Sequence, residues 1–170
     1  MKKLTLLFTA FLFMALTASA QTAKSFSIST IAKEYVYEDM GGEVWQTWIF
    51  KPKAEMEASL RNAGFVFESS AYSHVLETSD GAKVLGKYIL YVKDSIKVYY
   101  HYSEKNCVVN GAEIVFPNKA VLKRFIDASR KEGLEDNGYG GYKMRMSRGA
   151  IPMMEINYKS PLKLRIDTWA

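Results

Sequence analysis

Cysteine is nearly absent from this 170-residue chain: Cys107 stands alone, so no disulfide can form within it. A lone thiol is expected to be a buried small hydrophobe, with an interchain bridge or a reactive group as the alternative. Histidine is almost as scarce, at two residues. His74, His101 and Cys107 have no zinc-ligand spacing, so neither a metal nor any other cofactor is expected. Beyond the amino terminus no apolar run approaches the roughly 20 residues that a spanning helix needs. Four prolines and eleven glycines are too few for a collagen or a low-complexity chain, and 48% hydrophobic with 24% charged residues is ordinary globular composition.

The one long apolar stretch is Leu4 to Leu16, preceded by Lys2-Lys3 and followed by Ala18-Ser19-Ala20. Positive start, short apolar centre and small residues at the end predict an export signal over residues 1–20, cleaved before Gln21. No cysteine follows the cleavage point to carry a lipid. Losing Lys2 and Lys3 lowers the formal charge from +5 to +3. So small an excess excludes nucleic acid as a partner, since that needs a basic stripe on one face. Residues 21–170 are expected to form a single domain without a transmembrane segment, large enough to bury about 68–70% of its unfolded surface.

Phe26 to Tyr37 and Val44 to Phe50 are β-rich and flank Asp39-Met40-Gly41-Gly42, which predicts a hairpin. Pro52 suits the start of a short helix with Met56, Leu60 and Ala63 on one face and Gly64 at its end. A meander is expected next: 65–78, a turn at Asp80-Gly81, 83–92, a turn at Lys93-Asp94-Ser95, and 96–103. In the last of these strands, alternation puts Ile96, Val98, Tyr100 and Tyr102 on one face and Lys97, Tyr99 and His101 on the other. Asn110-Gly111 between β-formers predicts a type I′ turn.

Asn118 is placed to cap a second helix whose buried stripe is Val121, Leu122, Phe125, Ile126 and Ser129, ending at Gly133. The loop Asn137 to Gly141 then leads to strands over 142–147, 151–158 and 162–169. The order strand, helix, glycine, three strands occurs twice. Phe50-Lys51-Pro52-Lys53-Ala54 can be laid beside Phe116-Pro117-Asn118-Lys119-Ala120, which fits a tandem β-α-β-β-β duplication or chance similarity. The expected fold is α+β, an antiparallel sheet with two helices on one face.

Chemistry is thinly signalled. Neither histidine has a nucleophile in a recognised local arrangement, and Ser69, Ser70 and Ser73 lack the Gly-x-Ser-x-Gly elbow. The loop at Gly138-Tyr139-Gly140-Gly141 lacks the lysine and hydroxyl of a phosphate loop and follows a helix, so it is expected to be a connection. Met144, Met146, Met153 and Met154 suit core filling better than Cu(I) binding. No catalytic residues are assigned.

The candidate binding surface is on the last strands. If they are neighbours, Lys143, Arg145, Lys163 and Arg165 form a basic patch, tempered by Glu155 and Asp167, that could meet an acidic protein or an anionic envelope polymer. The bland alternative is a solvated sheet face. Tyr35 and Trp45 on the first hairpin are a second candidate, as aromatic contacts for a sugar or a partner. The expected function is an exported, non-enzymatic binding domain. Its alternatives are a small exported hydrolase using His101 or His74, and a structural assembly module.

Overall fold

The structure is a computed structural model that describes residues 26–77, 83–103, 109–146 and 154–168. The export signal, the Asp80-Gly81 turn, Cys107 and Met153 lie outside the described residues. The described residues open with a 3-10 turn, Ile28–Thr30, and the hairpin β1 (Ala32–Glu38) and β2 (Val44–Phe50). Helix α1 (Lys53–Asn62) leads to β3 (Val66–Glu77), β4 (Lys83–Lys93), β5 (Ile96–Ser103) and β6 (Val109–Val115). Helix α2 (Lys119–Arg130) leads to β7 (Leu134–Asp136), β8 (Tyr142–Met144), β9 (Met154–Ser160) and β10 (Lys163–Thr168).

The eight strands that follow α1 and α2 form one antiparallel sheet in the order β3-β4-β5-β6-β10-β9-β8-β7. A helix followed by four strands therefore occurs twice, and the second four are laid out in reverse so that β6 and β10 meet at the centre. The repeat boundary agrees with the sequence comparison: α1 begins at Lys53 and α2 at Lys119, with Phe50 and Phe116 both buried before them. Among the described residues each unit has four strands after its helix, one more than the expected three. The extra strands are β6, which runs through the expected Asn110-Gly111 turn, and the three-residue β7, too short to show a period of two.

The register fixes the two faces of the sheet. Ile89, Tyr100, Ala112, Ile166 and Ile156 form one cross-strand row, and Tyr91, Val98, Ile114 and Leu164 form the next. All nine are buried, and both helices pack on this side. From α1, Met56 and Leu60 enter the core, Glu57 accepts from the Tyr100 hydroxyl at 2.5 Å and Arg61 Nη2 donates to Tyr91 at 3.0 Å. From α2, Leu122, Phe125, Ile126 and Ser129 are buried, and Phe125 packs on Phe116 and Phe26. The α+β architecture with helices on one face is as the sequence predicts. Met144 and Met154 fill the same core.

Local signals explain the ends of both helices. Asn118 Oδ1 accepts from the Val121 amide at 3.0 Å, as expected of a cap. Gly64, at φ +88, lets the Phe65 amide return to the Leu60 carbonyl and close α1.

The Asn110-Gly111 turn is corrected. Both residues are within β6, where Gly111 pairs with His101 on β5 and Asp167 on β10. Gly111 serves close approach instead: a Cβ there would sit 3.3 Å from Arg165 Nη2 and 3.4 Å from Asp167 Oδ1. The two-residue turn with positive φ at both central positions is at Asp94 (φ 48) and Ser95 (φ 65), where β4 meets β5. Cross-strand pairing on both sides of β6 outweighed the local preference of an Asn-Gly pair.

Candidate functional site

On the face opposite the helices, the side chains that alternate with the core form their own rows. One runs Leu90, Tyr99, Glu113, Arg165, Asn157, and its neighbour runs Tyr88, His101, Gly111, Asp167, Glu155, Lys143. On this face a shallow depression of about 380 Å³ crosses five adjacent strands. Ser69 and Ala71 border it on β3, Tyr88 and Leu90 line it on β4, Tyr99 on β5, Glu113 and Val115 on β6, and Lys163 on β10. Apolar and phenolic surface on one side thus meets a charged cluster on the other.

Glu113 organises that cluster. Its carboxylate receives Lys163 Nζ at 2.6 Å and Arg165 Nη1 at 3.4 Å, while Arg165 Nε donates to Asp167 at 2.7 Å. The guanidinium can lie here because Gly111 beneath it has no side chain. Burial acts to push the Glu113 carboxyl up, but the hydrogen bond and charge of Lys163, with Arg165, outweigh it and hold it below the ordinary value. Burial and the nearby Glu113 push the Tyr88 phenol up, so it stays a neutral hydrogen-bonding group. The bowl thus sets the neutral Tyr88 phenol beside the ion-paired Glu113 carboxylate.

The Glu113 shift sets a pH dependence. A carboxyl depressed in the folded state contributes stability above its unfolded value, near 4.5, and loses it as pH falls through the folded value. Glu57 is depressed in the same sense: burial opposes the shift, and Tyr100 and Lys53 overcome it. The melting temperature should therefore fall as pH drops below about 4.5, and Glu113→Gln should flatten part of that decline. An unchanged acid limb in the variant would contradict the assignment.

The predicted basic patch is not assembled. Strand β9 separates β8 from β10, so Lys143 and the pair Lys163 and Arg165 do not sit on adjacent strands. Lys143 lies between Glu135 and Glu155 in the register, and Arg145 Nε donates to Glu135 at 2.7 Å. With Lys163 and Arg165 neutralised by Glu113 and Asp167, the face is charge-alternated instead of cationic. Sequence alternation gave the correct face for the strand cations but could not supply the strand order.

Tyr35 and Trp45 lie apart from this face, on the hairpin β1–β2. Tyr35 stacks on Tyr37 with ring centroids 6.0 Å apart, and Trp45 pairs across the ribbon with Tyr37. The Trp45 indole N–H donates to Asp39 Oδ2 at 2.9 Å, and Asp39 Oδ1 accepts from the Gly41 and Glu43 amides. The Trp45 bond first, and then these amides, lower the Asp39 carboxyl. Trp45 thus helps to shape the hairpin turn.

His101 is on the open face of β5 yet only 6% exposed, because the Tyr88 ring covers it with centroids 3.6 Å apart. His74 is on the edge strand β3, opposite Gly86 on β4. Among the described residues no group of three histidine, cysteine, aspartate or glutamate side chains is arranged to hold a metal. The loop from Asn137 to Gly141 is a hairpin connection between β7 and β8, held by Asn137 Oδ1 accepting from the Tyr139 and Gly141 amides. Sequence reasoning missed Leu90 and Glu113 as surface-forming residues. The signal for Glu113 was its position between the inward Ala112 and Ile114, which the Asn-Gly turn assignment masked.

Among the described residues no helix is long and apolar enough to cross a membrane. No family model, curated protein or solved structure matches the chain significantly, so no family is assigned to it.

Proposed function

We propose that this protein is an exported binding domain that captures a protein partner on the helix-free face of its sheet. The observation that carries the reading is the five-strand depression, where Tyr88, Leu90, Tyr99 and Val115 present half-buried apolar and phenolic surface beside the Glu113–Lys163–Arg165 cluster. Surfaces of this kind, with aromatic anchors inside and charge at the rim, gain affinity from desolvating the anchors and register from the charges. An anionic polymer is less well served, because Lys163 and Arg165 beside the depression are ion-paired with Glu113 and Asp167. The export step rests on the sequence of residues 1–20, with removal before Gln21.

The test is capture of envelope proteins by the purified mature chain, followed by titration of the captured protein. Leu90→Asp with Tyr99→Ala should weaken binding by about 100-fold, as expected for loss of two central anchors. Reversing Arg124 and Lys131, exposed residues in and just after α2, should leave it intact. Equal capture by the sheet-face variant, or capture of polysaccharide alone, would overturn the proposal.

A further inference from the structure

The hairpin β1–β2 packs on the core through Ile31, Ala32, Phe50, the buried Thr47 and the half-buried Trp48, with β2 lying against β6 and β9, and only its far end stands clear. Beyond the buried Thr47, opposite Tyr35, the strands run about three more residues, roughly 10 Å, to the turn at Asp39-Met40-Gly41-Gly42. Toward that end Val36, Met40 and Val44 are exposed, with Met40 fully so. Apolar side chains held out on such an arm point to a docking role.

Its charge is one-sided. From Glu34 to Phe50 the chain carries Glu34, Glu38, Asp39 and Glu43 and no basic residue. A bilayer with anionic headgroups would repel such a tip. The protein itself supplies the complementary surface. Between α2 and the β8–β9 edge lies an open groove of about 380 Å³. Its floor is apolar and phenolic, from Leu122, Ile126, Tyr142 and Tyr158, with the two tyrosine hydroxyls 2.9 Å apart. Burial and the Tyr158 bond push the Tyr142 phenol up to about 12. The rim carries Lys119, Lys123, Asp127 and Arg130; Lys123 pairs with Asp127 at 2.5 Å and Arg130 with Asp136 at 3.1 Å, but from Lys119 to Lys131 there are five basic side chains and one acidic, so a cationic surplus remains.

We propose that the acidic, apolar-tipped arm of one copy docks in the basic-rimmed groove of a second copy, and that the exchange is reciprocal, giving a twofold dimer. The groove is not filled by the arm of its own chain, whose tip stands in solvent. Reciprocal exchange closes the assembly at two copies, whereas one-way docking would propagate a filament. The contact uses neither the open sheet face nor its Glu113 cluster, so it stands independently of the proposed partner site.

The experiment is sedimentation velocity on the mature chain and two charge-reversal variants. Glu38→Lys with Glu43→Lys alters the arm; Lys119→Glu with Lys123→Glu alters the groove. Both pairs are exposed, and glutamate at the first position of α2 favours the helix dipole, so both variants should fold. Wild type should dimerise, and each variant alone should associate at least about tenfold more weakly. Mixing the variants should restore the dimer, because the lysine arm meets the glutamate groove and the acidic arm meets the unaltered groove. A monomeric wild type, a dimer indifferent to both variants, or a mixture that stays monomeric would each overturn the proposal. Arm-dependent binding to vesicles or to a different protein without self-association would overturn it as well.

Discussion

Ile166→Ala is expected to destabilise the protein by about 2–5 kcal/mol in chemical denaturation, with Ile166→Val costing about 0.5–1.5 kcal/mol. Ile166 is fully buried on β10, opposite Ala112 on β6 and Ile156 on β9. It therefore sits at the line where the two helix-plus-four-strand units are joined. Ala112 beside it is already small, so the cavity left by truncation has no long neighbour across that strand to fill it. A domain of this size has about 5–15 kcal/mol in total, which makes the loss a large fraction of its stability. A cost below about 1 kcal/mol would mean that the β6–β10 junction is not the packed centre of the fold.

Gly141→Ala should cost about 1–3 kcal/mol by overpacking, and the loss should concentrate at the β7–β8 end of the sheet. A Cβ at Gly141 would sit 2.5 Å from Asn157 Oδ1, 2.7 Å from the Ile156 carbonyl oxygen and 3.0 Å from Asn137 Nδ2. The Asn157 side chain can swing away. The Ile156 carbonyl belongs to β9 and cannot do so without disturbing the β8–β9 pairing. Gly138 and Gly140 in the same loop make a useful contrast: a Cβ at either meets nothing within 4 Å, but their φ angles of 82° and 83° strain any other residue. Amide exchange should therefore show faster opening of residues 134–136 and 142–144 in Gly141→Ala. Unchanged exchange there, with unchanged stability, would place the loop differently.

Much of the architecture is legible in the chain because local physics and tertiary packing agree there. Alternation in Ile96 to Tyr102 identifies the core face of β5, Asn118 caps α2 as its side chain predicts, and Gly64 closes α1. The miss at Asn110-Gly111 has the opposite cause. An Asn-Gly pair prefers a turn in isolation, but pairing with β5 and β10 made β6 continuous. The turn with two positive φ angles formed instead at Asp94-Ser95, which the meander had already marked as a turn.

The candidate site was less legible because it depends on strand order. Lys163 and Arg165 were assigned to an outward face, and they are on the face opposite the helices. Their partner Glu113 is about fifty residues earlier in the chain and becomes adjacent only because β10 pairs with β6. The same pairing inserts β9 between β10 and β8, which separates Lys143 from the other cations. Charge type can be read along a strand, whereas neutralisation across strands is a property of the assembled sheet.

Side-chain footprinting of the protein bound to its captured partner tests the binding proposal most directly. Tyr88, Leu90 and Tyr99 should become protected from oxidative labelling, while exposed Tyr139 in the β7–β8 loop should label as before. Protection confined to that loop, to the helix side or to the β1–β2 arm, with the open sheet face labelled equally in free and bound protein, would contradict it.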